Sequence, residues 1–507
     1  MKEELISTDK LLEIIANQVK ENSTQKEGIK QLQEKIDYLL RQQFASKSEK
    51  FNSNQPSLFE EYEEKIEAEV DEEVQIEFTR KKGGRSSPSK DLPRVRVEHD
   101  ISEEEKLCSC GDKMHRIKEV ISEQYDIVPA KFQIIQNVRY MYGCRCGAAP
   151  VTAPLAPFIL PQTQVTASFL ATVAVQKFED ALPLYRQAKI FKNRFGVPFS
   201  DTTLSNWMIK ASDKLKPFMQ RLKERLLDND YIQADETTLQ VIKAHKIKPT
   251  KKSYIWMGVG MDKYKVITMH YANNRSATVA STLFKNFSGY LQTDGYAGYN
   301  SVVQTEGMIH LACWAHARRK FADIIKSGVC DVKSKAYAQE AITLIQKLYK
   351  IEKEIKDDPP KEKQRIRKEK SKPIIDMIRV WLDTNFFKAQ ELDGAIAKAF
   401  VYLNNQFIKL TVYLEDGRLN IDNNGAENHI RPLVLGRKNW LFATSVKGAE
   451  AIATWYSIIE TAKANGLEPY HYLKYLLTEL PYCQRKGRDI ESLLPWNVED
   501  GSVVKLT

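Results

Sequence analysis

The chain has 507 residues, 42% of them hydrophobic and 10% aromatic, and a formal net charge of +10. That length exceeds one ordinary core, so several folded units are expected. No apolar run approaches the roughly 20 residues of a membrane helix, and MKEELISTDK lacks the basic start and apolar stretch of a secretion signal. A membrane-spanning or secreted protein is thereby disfavoured and a cytoplasmic one expected. Seven cysteines, with no signal to export them, point to reduced thiols or metal ligands rather than disulfides.

Residues 1–45 read as a helix. Leu12, Ile15 and Val19 form one apolar stripe, and Ile29, Leu32, Ile36 and Leu39 form a second that is out of phase with it. Such stripes suit a short coiled coil, or a helix that folds back on its own protein. Residues 46–100 read as a linker. Within it, residues 51–80 carry ten acidic side chains against Lys65 and Arg80, and RKKGGRSSPSK follows as a basic arm. The remainder of the chain is therefore more basic than its net charge suggests. This suits a polyanionic partner, although a lysine-rich solvated surface explains the charge equally well.

Residues 101–155 hold two close cysteine pairs, Cys108/Cys110 and Cys144/Cys146, each followed by glycine in CSCG and CRCG. Four thiolates in two clusters around a β-rich loop suit a zinc-ribbon-like segment binding Zn²⁺; unliganded structural cysteines are the alternative. Residues 156–228 are helical in pattern. A helix over Leu184–Phe195 ends at Gly196, and Ser200 or Asp201 caps a second helix carrying Leu204 and Trp207 as core residues. This is a helix-turn-helix arrangement with Thr202, Thr203, Ser205 and Asn206 able to face a DNA groove, although any helical hairpin shows the same outline.

From residue 229 the pattern turns to strands. YIQADETTLQVIKA, SYIWMGVGMD and KVITMHYAN read as a meander, Ser276–Phe287 as a helix, GYLQTDGYAGY as a fourth strand and MIHLACW as a fifth entering the helix AHARRKFADII. That order is the order of a ribonuclease-H-like fold, in which the first and fourth strands are neighbours. Asp235 in the first and Asp294 at the end of the fourth then meet at one sheet edge. Their mutual repulsion favours a cation between them, and oxygen donors suit Mg²⁺ or Mn²⁺, two ions acting on one phosphodiester. The third acid is sought in IDNNGAENHIRPLVLGRKNWLF, where Asn423 or Asn424 caps a helix carrying Glu427 with Arg431, Arg437 and Lys438 beyond it. Adjacent strand residues face opposite ways, so Glu236 is the alternative to Asp235, and Glu460 is the rival to Glu427. His316, Arg318 and Arg319 are candidate DNA contacts or simply a basic helix start. Residues 325–412 read as a helical insertion dividing the core into 229–324 and 413–475, with a C-terminal segment over 476–507.

The chain resembles transposases of the insertion-sequence-66 (IS66) family along nearly its whole length. The resemblance lies in LLRQQFASKSEKF, DLPRVRVEHD, the cysteine pairs, LPLYRQAKIF, ADET, TDGYAGY, CWAHARRKF, NNGAENHIRPLVLGRKNWLF and YSIIETAKANGLEPYHYL, in this order. It implies a multidomain α/β protein with an Asp-Asp-Glu nuclease core, a zipper-like N-terminal helix, a zinc-binding segment and a short C-terminal segment. Carried over, the catalytic acids fall on Asp235, Asp294 and Glu427. The departure is in the cysteines, which stand as Cys-x-Cys where the family commonly has a Cys-x-x-Cys pair. The implied activity is metal-dependent cleavage at element ends and transfer of the freed 3′-hydroxyl into target DNA. Implied partners are double-stranded DNA, a second copy of the chain (a homodimer or higher assembly) and small accessory proteins, with nucleoid association in the cytoplasm. A non-catalytic DNA-binding regulator, or a nuclease or resolvase that cuts without joining, are the competing readings.

Overall fold

The computed structural model describes residues 130–143, 145, 149 and 151–506, apart from 245–251, 301, 303–306, 329, 393 and 500, with only isolated positions before 130. The expected N-terminal helix, the linker and Cys108, Cys110, Cys144 and Cys146 lie outside the described residues, a few linker positions excepted. A two-stranded ribbon, β1 (Met141–Tyr142) and β2 (Val151–Thr152), precedes four helices: α1 (Ala167–Phe178), α2 (Leu184–Phe195), α3 (Asp201–Lys214) and α4 (Lys216–Leu227). Helix α2 stops because Gly196 takes the left-handed conformation at φ 70°, and α3 starts because the Ser200 hydroxyl accepts from Thr203 N–H. Leu204 is fully buried, and Trp207 packs edge-on against Phe169 and Phe199.

Among the described residues, β3 (Tyr231–Gln240), β4 (Lys252–Gly260), β5 (Ile267–Ala272), β6 (Gly289–Gln292) and β7 (Met308–Leu311) form one sheet in the order β5-β4-β3-β6-β7. The first three strands run as an antiparallel meander; β6 joins β3, and β7 joins β6, in parallel. The unbroken apolar run of β4 reflects burial on both faces of the sheet. The expected helix over Ser276–Phe287 is shorter, α5 (Ala277–Leu283). Its β-branched Thr278, Val279 and Thr282 support a helix poorly, and Phe284 and Phe287 turn into the core instead of continuing it.

After β7 come α6 (Trp314–Lys326), α7 (Val332–Glu354), α8 (Pro360–Ile366), α9 (Lys372–Glu391) and α10 (Gly394–Thr411). All but α8, which has no buried residue, share a core built on Trp314, Phe321, Ile345, Leu382 and Phe400. The chain then returns to the sheet through α11 (Asn424–Trp440), α12 (Val446–Ala464) and α13 (Pro469–Lys486). Their apolar faces join those of α1–α4 and the sheet in a second core around Trp455, Leu204 and Ile255. Each large side chain fully buried there contributes about 1.5–3 kcal/mol. No helix among the described residues is long and apolar enough to cross a membrane.

Candidate active site

The parallel pairing of β3 with β6 sets the geometry of the site. Its register places Gln233 opposite Gln292, and Asp235 and Asp294 each lie two residues further along. The two strands thus carry the same Gln-x-Asp offset, as QAD and QTD, and deliver both acids just past the end of the β3–β6 pairing. Asp235 retains a partly accessible surface, and its Oδ1 accepts from Glu236 N–H at 2.8 Å. Its carboxyl is pushed well above the usual range, first by burial and then by the charges of Glu236, Asp294 and Glu427. Asp294 is held through Oδ1 by Tyr296 N–H at 2.9 Å, while its carbonyl accepts from the Tyr402 hydroxyl of α10 at 2.6 Å.

Glu427 reaches the same place from α11 by a different route. The start of that helix is tied to β3: Ala426 N–H donates to Gln233 Oε1 at 2.9 Å, and Gln233 Nε2 donates to the Asp422 carbonyl at 3.0 Å. Asn423 occupies the cap position, but its side chain makes no capping bond; it donates to the Ala234 carbonyl at 3.0 Å instead. Gly425 permits the close approach, since a Cβ there would stand 2.4 Å from Gln233 Oε1. Gln233 is also bonded to Gln292, whose Oε1 accepts from the Tyr231 hydroxyl and whose Nε2 donates to the Asn420 carbonyl. Both glutamines are fully buried. A satisfied polar network of this kind fixes one arrangement, because any slip strands buried donors.

Cations flank the outer two acids. Arg319 NH2 stands 3.5 Å from Glu427 Oε2, and His316 Nε2 stands 3.8 Å from Oε1. Burial and the neighbouring Arg319 charge push His316 below its ordinary value. Arg275 NH2 lies 3.4 Å from Asp294 Oδ2 and is bonded more closely to Glu236, whose side chain is 1% exposed. The donor chemistry fits a hard divalent cation: three carboxylates act on one another, and the buried Glu427 Oε1 has no hydrogen-bond partner. Among the described residues, no group of three His, Cys, Asp or Glu side chains stands at metal-holding spacing.

Of the rival acids, Glu236 stays beside Asp235 and Asp294 but is drawn into other bonds, and Glu460 sits on α12. Glu236 bonds Arg275 and Tyr299, and Glu460 is buried against His429 (3.2 Å) and Lys463 (3.1 Å) on α12. Arg318, expected as a DNA contact, is a correction. It is 3% exposed, because it lies four residues after Trp314 and three before Phe321, on the buried face of α6. Arg437 is half-buried and donates to Thr237 and Thr238, tying α11 to the end of β3. Arg431 and Lys438 are exposed on α11. On α3, Thr202 and Asn206 are exposed and Ser205 is half-buried, while the half-buried Thr203 shares its hydroxyl with Ser200 at 2.8 Å. Gln233, Gln292, Arg275 and Tyr402 were not legible as site residues, and Asn423 was legible only as a helix cap. The one local signal was the repeated Gln-x-Asp.

The chain thus combines a mixed sheet, acids brought together beside it, and a helix pair α2–α3 joined by a short turn. Residues 162–451 match the family model described as Transposase IS66 family, and the chain belongs to that family. Residues 31–97 match Transposase C of IS166 homeodomain, 105–147 the zinc-finger binding domain of transposase IS66, and 457–496 the IS66 C-terminal element. The uncharacterized protein y4jD of Sinorhizobium fredii is 32% identical over 422 residues, 80% of this chain and 81% of the relative. The uncharacterized protein y4qI of the same organism is 31% identical over 506 residues, 94% of this chain and 90% of the relative. No solved structure matches the chain.

Proposed function

We propose that the protein cuts and joins DNA on a ribonuclease-H-like core, with Asp235, Asp294 and Glu427 holding two Mg²⁺ or Mn²⁺ ions. The observation that carries this reading is the parallel β3–β6 pairing, which sets the Gln-x-Asp of each strand side by side near Glu427. The sheet order, with two parallel strands added to an antiparallel meander, supports the fold reading. Held by these three acids, divalent ions would neutralise the charge that builds up as a phosphodiester is displaced.

The chain's own groups bind and orient the DNA. Arg319 and His316, beside Glu427, meet the phosphate under attack, and Arg431 and Lys438 lie along neighbouring phosphates. Arg437 holds β3 in place behind them. Thr202 and Asn206, with Thr203 and Ser205 behind, offer the start of α3 to a groove at the element ends. Water breaks a phosphodiester to leave a 3′-hydroxyl and a 5′-phosphate. That hydroxyl then attacks a target phosphodiester, forming one P–O bond and releasing the target's own 3′-oxygen. Cys108, Cys110, Cys144 and Cys146 bind Zn²⁺ in the segment that matches a zinc-finger family. Self-association through residues 1–45 and small accessory proteins complete the active complex.

The test is strand cleavage and joining on DNA carrying the element's ends, with Mg²⁺ or Mn²⁺, for wild type and Glu427→Gln. Metal-dependent joined products are expected from wild type and none from the variant, with DNA binding retained. Products that persist in the variant would move the third acid elsewhere. Cleavage with no joining would leave a nuclease or resolvase, and binding without cleavage a regulator.

A further inference from the structure

The sequence leaves the Asp235-Glu236 pair ambiguous, and the structure assigns the second acid a task of its own. We propose that Glu236 and Arg275 are positioning residues that hold the Asp294 carboxylate for its metal; this rests on the Asp-Asp-Glu reading above. Arg275 is fixed from three sides. Its Nε donates to Glu236 Oε1, and Glu236 is in turn fixed by the Tyr299 hydroxyl at 2.7 Å. Its guanidinium carbon lies 3.6 Å from the centroid of the Tyr296 ring, whose hydroxyl donates to the Arg275 carbonyl at 2.6 Å. The same NH2 that sits against Glu236 Oε1 also lies 3.4 Å from Asp294 Oδ2, so one nitrogen bridges the two carboxylates.

Asp294 is therefore gripped at both oxygens, by Tyr296 N–H on Oδ1 and by Arg275 on Oδ2. Both grips originate in one local unit, since Tyr296 itself supplies the N–H, the ring and the hydroxyl. Each carboxylate oxygen keeps a second lone pair for a cation. The buried charge of Glu236 locks the guanidinium, and the planar fork of arginine reaches two carboxylates at once, which a lysine ammonium cannot do with the same geometry. Outer partners of this kind change metal affinity about 10–100-fold when they are removed.

The test is Mn²⁺ binding to the full chain, read by electron paramagnetic resonance of the free ion, with thermal melting as the check on folding. The panel is wild type, Asp294→Asn, Arg275→Met, Arg275→Lys, Glu236→Gln and the double variant Glu236→Gln/Arg275→Met. The expected result is Mn²⁺ affinity weakened about 10-fold or more in Arg275→Met and Glu236→Gln, with partial recovery in Arg275→Lys. The double variant should be no weaker than Arg275→Met, because Glu236 acts through the arginine. If Asp294→Asn destroys Mn²⁺ binding while a folded Arg275→Met binds like wild type or more tightly, the positioning role is wrong and the acid assignment stands. If Asp294→Asn itself binds Mn²⁺ like wild type, both readings fall.

Discussion

The strand-borne acids and the helix-borne acid arrive at one place by different means. Asp235 and Asp294 are placed by backbone register, a ladder of hydrogen bonds that tolerates changes of side chain. Glu427 follows the whole run of α7–α10 and is placed by side chains: Gln233 receives Ala426 N–H, and Asn423 reaches the Ala234 carbonyl. The difference teaches where the site is vulnerable. Register gives the first two acids each other, whereas the third depends on one buried glutamine that serves both routes.

Gln233→Leu tests that dependence and carries the largest expected effect. It leaves Ala426 N–H and the Asp422 carbonyl without Gln233 and strips one donor from Gln292 Oε1. Each buried polar group so stranded costs about 1–3 kcal/mol, so a total of several kcal/mol is expected in denaturant unfolding. Metal-dependent cleavage should fall with it, because Glu427 loses its mooring. A wild-type unfolding midpoint with full cleavage would show that α11 is docked by other contacts.

The strand-borne pair has a signature of its own in pH. Burial and three neighbouring carboxylates raise Asp235 above its unfolded value, so the folded chain binds that proton more tightly. Stability from this group is then fully present below the ordinary aspartate range, and it is lost as pH rises from there through the raised folded value. In the presence of a chelator, the melting temperature should decline across that window. Asp235→Asn should flatten the decline and melt higher than wild type near neutral pH. An unchanged slope in the variant would place the titration on another group.

Gly425→Ala sharpens the comparison from the helix side. Its new methyl would stand 2.4 Å from Gln233 Oε1, which is held by Ala426 N–H and cannot yield freely. Overpacking of this kind costs about 1–3 kcal/mol, readable in thermal unfolding. The same change at Gly448, on α12, meets only Ser445 Oγ at 3.4 Å and serves as the matched control.

What the sequence made legible follows the same division. The bounds of α2, the Gly196 stop, the Ser200 cap and the buried run of β4 are local, written in periodicity, capping residues and apolar length. The adjacency of the first and fourth strands was legible from element order alone. Illegible were contacts between distant positions: Gln233 with Ala426, Arg275 with Glu236, Tyr402 with Asp294. Arg318 misled for a related reason. A charge in the run HARRK advertises a surface, yet helical phase puts this one beside Trp314 and Phe321, under the helices that follow.

The smallest effect expected is also the one that asks what the inserted helices contribute. Tyr402 of α10 donates to the Asp294 carbonyl at 2.6 Å, and its hydroxyl would lie 2.9 Å from a Cβ at Gly295, which adopts φ 82°. The turn after β6 is thus closed by a residue far along the chain, so α10 braces the register-placed side of the site. Tyr402→Phe removes one hydrogen bond and should cost about 0.5–1.5 kcal/mol in unfolding. If the brace matters to chemistry, cleavage in limiting Mn²⁺ should weaken while saturating Mn²⁺ restores it. Equal loss at all Mn²⁺ concentrations would mean that Tyr402 acts on DNA placement rather than on Asp294. No loss at any concentration would reduce the hydroxyl to a stabilising contact.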